Sequence, residues 1–182
     1  FQTPISVITG GPGVGKTTVV GQIVAVAKRQ GLKVLLAAPT GRAAKRMTET
    51  TGADAMTIHR LLQWNAADGV FVHDADDPLT CDLLIIDEAS MLDVLLADHL
   101  FQAVRPGTRV VLVGDRDQLP SVGPGTVLQD LISCGRLPVT HLTQIYRQEA
   151  NSRIITNAHA VNQGRMPDLH AVPQRVTADF YW

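Results

Sequence analysis

Residues 5–18 constrain this chain more than any other stretch. The apolar run Ile5-Ser-Val-Ile-Thr9 leads directly into Gly10-Gly-Pro-Gly-Val-Gly-Lys16-Thr17-Thr18, and a helical pattern follows at once. The segment fits GxxxxGK[ST], in the strand-then-helix setting that this loop chemistry requires. Its glycines let backbone amides turn inward around a phosphate group, and the helix N-terminus adds partial positive charge. Gly11, Pro12, Gly13, Val14, Gly15, Lys16, Thr17 and Thr18 are therefore the expected nucleotide-binding residues. Lys16 would reach the β- and γ-phosphates, and the Thr17 hydroxyl would ligate magnesium. A glycine-rich turn without a ligand is the competing reading, and it leaves the flanking strand and helix unexplained.

Three further apolar runs, Val34–Ala38, Leu83–Ile86 and Val110–Val113, read as buried strands, with a weaker fifth over Val139–Leu142. Between the first two, Val20, Ile23, Val24 and Ala27 form one face of a helix from Thr17 to Gln30, and Gly31 is placed to stop it. Strands alternating with helices predict a parallel sheet with right-handed crossovers. Only 4% of residues are aromatic while small aliphatics abound, which favours helices over a parallel sheet rather than a sandwich. The expected fold is therefore a three-layer α/β/α phosphate-loop domain with a mostly parallel central sheet, one domain over residues 1–182.

A last helix is expected from Ser152 to Gln163, with Ile154, Ile155, Ala158 and Val161 facing inward and Gly164 ending it. The pattern changes between Asp54 and Cys81. Thr57-Ile-His-Arg-Leu-Leu reads as a short helix capped by Thr57, and Asn65–Leu79 reads as a hairpin or loop insertion.

Sixteen basic residues against seventeen acidic ones give a net charge of −1, so any nucleic-acid contact must come from local patches. Cys81 and Cys134 lie far apart with no metal-site spacing, which reads as reduced structural thiols and a cytoplasmic setting. Neither a membrane segment nor a signal peptide is expected. The chain begins on Phe1 and enters its first strand at once, so it reads as a piece excised from a longer protein.

Asp87 and Glu88 end the run Leu83-Leu-Ile-Ile, at the strand edge where open α/β sheets bind ligands. Asp87 is expected to hold magnesium and Glu88 to polarise the attacking water. Val110-Val-Leu-Val runs into Gly114-Asp-Arg-Asp-Gln118, delivering a neutral amide to the same edge, where Gln118 would sense the γ-phosphate. Exposed loop acids and a surface turn are the alternatives for these two segments.

Five motifs, GGPGVGKTT, APTGRAAKRM, DEASML, GDRDQLPSVGPG and LTQIYRQ, occur in an order that resembles RecD-like helicases. These are superfamily-one proteins that include the α subunit of exodeoxyribonuclease V. The resemblance covers nearly the whole chain and implies a RecA-like first motor domain of an ATP-dependent 5′-to-3′ DNA helicase acting in recombination and repair. It implies ATP and magnesium as cofactors. Its implied partners are single-stranded DNA, a second motor domain of the same parent chain, and repair nuclease subunits.

Carried over, the family pattern makes Lys16, Glu88, Gln118 and Arg147 catalytic, with Arg147 on the γ-phosphate and Thr17 and Asp87 on the metal. Pro39, Thr40, Gly41, Arg42, Lys45 and Arg46 resemble a motif that grips single-stranded DNA. The three basic residues fall at i, i+3 and i+4, and a solvated face is the plainer alternative. Thr57, His59 and Arg60 resemble a second DNA-side motif, with packing or capping the alternative for His59.

The resemblance implies that a small insertion around 65–80 is the strand-separating pin of relatives, with Phe71 near its tip as an aromatic wedge; a plain surface loop is the alternative. Nothing matches the motifs of a second motor domain, and Gln2 lies too close to the first strand to be equated with the family's adenine-contacting glutamine. Other readings are a kinase or ATPase that is no motor, a scaffold with a vestigial site, and a conjugative relaxase-helicase.

Overall fold

The computed structural model describes residues 3–144 and 152–169. Strands are β1 (Ile5–Thr9), β2 (Val34–Ala38), β3 (Ala55–Thr57), β4 (Trp64–Asn65), β5 (Val70–Phe71), β6 (Leu83–Ile86), β7 (Arg109–Gly114) and β8 (Val139–His141). Helices are α1 (Lys16–Arg29), α2 (Gly41–Thr51), α3 (Ile58–Leu61), α4 (Val94–Gln102), α5 (Val127–Ser133) and α6 (Arg153–Asn162), with a 3-10 turn at Ala89–Met91. Six strands form one sheet in the order β3-β2-β6-β7-β1-β8, every neighbouring pair parallel. Parallel neighbours need crossovers, and helices supply them on both faces.

Side-chain alternation along the strands builds the three layers. On one face Ile8, Leu36, Leu83, Ile85, Val111 and Val113 pack against Val20, Val24 and Ala27 of α1 and Met47 of α2. On the other, Val7, Leu84, Ile86, Val110 and Leu112 pack against Ile58 of α3, Leu100 of α4 and Leu128 of α5. All four side chains of β6 are buried, as a central strand covered on both faces must be. Among the described residues no helix is long and apolar enough to cross a membrane.

The expected helix at Thr17–Gln30 forms as α1, shifted by one residue at each end, and Gly31 follows its C-cap. The weak fifth strand is β8, paired with β1 at the sheet edge. β3 escapes the apolar pattern because Ala55-Met-Thr is too short to show a period.

The expected inward face of α6 is overturned. Asn157 is its buried residue, at 5% exposure, while Ile154 and Val161 are 52% and 59% exposed and Ala158 is exposed. This helix lies over loops rather than over the sheet, so polar bonds and not an apolar stripe set its orientation. Asn157 accepts from the backbone N–H of Asp168 at 2.8 Å and donates to its carbonyl at 3.1 Å, satisfying a buried amide.

Residues 64–71 form a minimal antiparallel hairpin, β4 with β5, turning at Asp68-Gly69. Phe71 sits in the second strand and not at the tip. Its ring lies 4.8 Å from Trp64, 5.7 Å from His59 and 4.8 Å from His99 of α4, folded toward the core.

Candidate functional site

The parallel sheet brings the carboxyl ends of β1, β6 and β7 to one edge, and β7 is hydrogen-bonded to both of the others. Each strand then delivers its loop. After β1, the chain enters the glycine loop and reaches α1 through Gly15, whose φ of 77° is left-handed and would strain any residue with a Cβ. Gly13 shares this conformation, with φ 76°. The loop is tied to the end of β7, where the Gly10 N–H donates to the Gly114 carbonyl at 3.3 Å and the Arg116 N–H donates to Thr9 Oγ1 at 3.2 Å.

A cavity of about 440 Å³ opens over this loop, lined by residues 11–18 together with Arg46, Thr50, Asp87, Glu88, Gln118 and Ile155. Lys16 Nζ donates to the carbonyls of Gly10 and, at 2.9 Å, of Gly11. The ammonium therefore folds back across the loop at the position where phosphate oxygens are ordinarily gripped.

Asp87 and Glu88 leave β6 into this cavity. The Glu88 N–H donates to Asp87 Oδ1 at 2.8 Å, and the Asp87 N–H donates to the Ala37 carbonyl of β2 at 3.0 Å. Glu88 has φ 53° and ψ 39°, a left-handed conformation that costs a non-glycine residue roughly 1–2 kcal/mol. Strain of that kind concentrates at functional sites.

Burial pushes the Asp87 carboxyl above the usual carboxylate range, against the pull of the Glu88 N–H and of the Lys16 and Arg46 charges. Glu88 is also raised, first by burial and then by the like charge of Asp87. Two half-buried carboxylates and a hydroxyl, Thr17, lining one cavity form the donor set that magnesium takes alongside phosphate oxygens. The residues fit that ion.

The β7 loop carries a feature that motif reading passed over. Asp115 is buried at 3% exposure, and its carboxylate accepts from the Asp117 N–H at 3.0 Å and from Gln118 Nε2 at 3.4 Å. Asp115 thus orients the amide expected to sense the γ-phosphate. Ser90 Oγ is buried nearby without a partner among the described residues.

α6 also enters the site. His159 Nε2 lies 3.0 Å from the Pro12 carbonyl, and Asn162 Nδ2 donates to Asp117 Oδ2 at 2.8 Å, so this helix touches both the phosphate loop and the β7 loop. A second cavity of about 520 Å³ lies between α6 and those loops. Sequence gave no signal for His159 or Asn162, because neither belongs to a motif.

The expected DNA-side residues are dispersed. Thr40 caps α2, its Oγ1 accepting from the Ala43 N–H at 3.2 Å. Arg42 is exposed, and Lys45 pairs with Glu49 at 3.9 Å along the helix surface. Arg46 is exposed as well and lines the cavity over the glycine loop. Thr57 caps α3 by accepting from the Arg60 N–H at 3.2 Å, His59 packs on Phe71, and Arg60 is exposed. Arg147 and Gln2 lie outside the described residues.

A family model described as an AAA domain matches residues 2–177. Among curated proteins, the chain is 47% identical over 161 residues to the ATP-dependent RecD2 DNA helicase of Deinococcus radiodurans, covering 88% of this chain and 22% of that protein. It is 40% identical over 152 residues to the RecBCD enzyme subunit RecD of Mycolicibacterium smegmatis, covering 70% and 27%. Among solved structures, the Pif1 helicase of Candida albicans superposes with a TM-score of 0.63 at 24% identity, over 90% of this chain and 41% of that one, a likeness of fold. The chain spans about a quarter of the length of the curated relatives it matches.

Proposed function

Because the chain belongs to the AAA domain family, in its RecD-like branch of superfamily-one helicases, we propose that it is the ATP-binding first motor domain of a 5′-to-3′ DNA helicase of recombination and repair. The supporting observation is that Lys16, Thr17, Asp87, Glu88 and Gln118, drawn from three different loops, line one cavity. A decayed or purely structural domain has no reason to keep two charged carboxylates half-buried beside a phosphate loop, at a cost in stability.

Thr17 and Asp87 would hold magnesium, which would supply positive charge to offset what develops on the phosphate groups. Lys16 exchanges its two loop carbonyls for phosphate oxygens. Glu88 takes the proton of the attacking water, a task its raised affinity for protons suits. Gln118, oriented by Asp115, donates toward the γ-phosphate and changes partner when that group leaves.

Arg147 supplies positive charge to the same group, following the family pattern. Pro39–Arg42 and Thr57–Arg60 follow the ends of neighbouring strands β2 and β3, and we assign single-stranded DNA to that edge. The hairpin at 64–71 is the pin of this reading. A second motor domain closes the cleft, and repair nuclease subunits are the further partners.

The test is a titration of a fluorescent, non-hydrolysable ATP analogue with magnesium into this chain and into Lys16→Ala, each with and without a short oligo-dT. Lys16→Ala should weaken binding at least about tenfold, the loss of a charge-assisted contact worth more than 1.4 kcal/mol. DNA should tighten nucleotide binding by the coupling between the two sites. No saturable binding by the unaltered chain would refute the nucleotide reading, and binding indifferent to Lys16 would refute the site.

A further inference from the structure

We infer that Arg46 is a nucleotide-binding residue, a second cation that grips the terminal phosphate opposite Lys16 and favours a triphosphate over a diphosphate, rather than a DNA contact. The inference rests on the proposed nucleotide site and adds to it a residue from outside the phosphate-loop and carboxylate motifs.

Three observations carry it. The first is placement. α2 packs against both α1 and the sheet, burying Ala44 and Met47, and this rotation turns Arg46 and Thr50, one turn apart, into the cavity over the phosphate loop. Lys45 lies on the outer flank with its partner Glu49. Neighbours in sequence on this helix therefore serve different surfaces.

The second is chemistry. The guanidinium of Arg46 is exposed at the cavity and has no hydrogen bond or ion pair among the described residues. An exposed arginine at the wall of a cavity without a fixed partner has its donors free for whatever enters. Its planar fork matches phosphate oxygens. The third is charge balance. Lys16 and Arg46 offset Asp87 and Glu88 in this cavity. Without Arg46 the wall would be net negative, and a magnesium-bound triphosphate, itself still an anion, would meet repulsion.

The position also indicates which phosphate is gripped. Arg46 lines the same cavity as Asp87 and Glu88, which the proposed site puts at its metal and hydrolytic end, and the terminal phosphate belongs at that end. A diphosphate would leave the guanidinium facing the carboxylates alone.

The experiment measures dissociation constants of magnesium complexes of a fluorescent ATP analogue and of the matching ADP analogue by anisotropy. It uses the unaltered chain, Arg46→Ala, Arg46→Lys, and Lys28→Ala as a remote charge control in the last turn of α1. A labelled oligo-dT is titrated in parallel, and melting curves establish that each variant is folded. Arg46→Ala should weaken the triphosphate about tenfold and the diphosphate about threefold or less, with Arg46→Lys recovering part of the loss and oligo-dT affinity moving less than about twofold.

A triphosphate affinity no lower in Arg46→Ala than in Lys28→Ala would overturn the inference. So would lost oligo-dT affinity with nucleotide binding intact, which would return Arg46 to a DNA face. If the unaltered chain fails to bind nucleotide, the reading of the site falls and this inference with it; if it binds and Arg46→Ala binds the triphosphate as tightly, the inference alone falls.

Discussion

Gly114→Ala is the substitution whose cost the structure defines most closely. Gly114 ends β7 where that strand passes the Ala89–Met91 turn that follows Asp87 and Glu88. A methyl group there would lie 2.7 Å from Leu128 Cδ2, 3.1 Å from the Ser90 backbone nitrogen and 3.3 Å from that of Ala89. Leu128 is 3% exposed and has little room to withdraw, and the two amides are fixed by the turn. Overpacking of this kind costs about 1–3 kcal/mol. For a domain of this size each kcal/mol moves Tm by about 2–4 °C, so a fall of about 2–12 °C is expected in a thermal melt followed by circular dichroism.

The same reasoning predicts coupling. Leu128→Ala removes the nearest conflict, so adding Gly114→Ala to it should cost about 1 kcal/mol less than in the unaltered chain, leaving the clash with the amides. Nucleotide affinity should fall as well, because displacing Ala89 and Ser90 moves Glu88. A Gly114→Ala chain that melts within about 1 °C of the original would show that the turn yields freely, and the argument would fail.

Asp87→Asn should raise the Tm of the nucleotide-free chain. Burial raises the Asp87 carboxyl, so the folded chain holds that proton more tightly than the unfolded one, and stability is lost as pH climbs from the usual value of about 4 through the raised one. The gain in melting temperature over the unaltered chain should therefore be larger at about pH 8 than in mild acid; a gain that shrinks with rising pH would contradict the sign. Thr40→Ala should cost about 1 kcal/mol by removing the α2 cap, and Thr40→Ser should restore most of it. A melt that does not distinguish Thr40→Ala from Thr40→Ser would show that the hydroxyl stabilises nothing.

Much of this was legible before any coordinates, for physical reasons specific to each segment. The buried strands read clearly because parallel strands covered on both faces are continuous apolar runs, as Leu83–Ile86 shows. The glycine loop read clearly because its chemistry fixes residue types in order. α6 misled, since Ile154, Ala158 and Val161 repeat at helical spacing while the helix sits on polar loops and buries Asn157. The cavity-side position of Arg46 was hidden for a related reason: spacing groups residues by angle around an axis, and only packing of Ala44 and Met47 decides where that angle points. His159 and Asn162 had no local signal, because their partners Pro12 and Asp117 are far away in sequence.

The position of β7 between β1 and β6 sets where this protein can tolerate change. Neighbouring strands stand about 4.8 Å apart, so the lysine loop and the carboxylates are held roughly 10 Å from each other by the width of one intervening strand. That gap is a fixed gauge, set by the width of one strand. One residue inserted into β7 would reverse its pleat, exchange Val111 and Val113 for Val110 and Leu112 between the two cores, and lengthen the gauge's attachment to both loops at once. The tip of the 64–71 hairpin has no such duty. Doubling its length would cost only about 0.6 kcal/mol of closure entropy. Drift in length should therefore accumulate at the hairpin, while β7 keeps its residue count even where its side chains change.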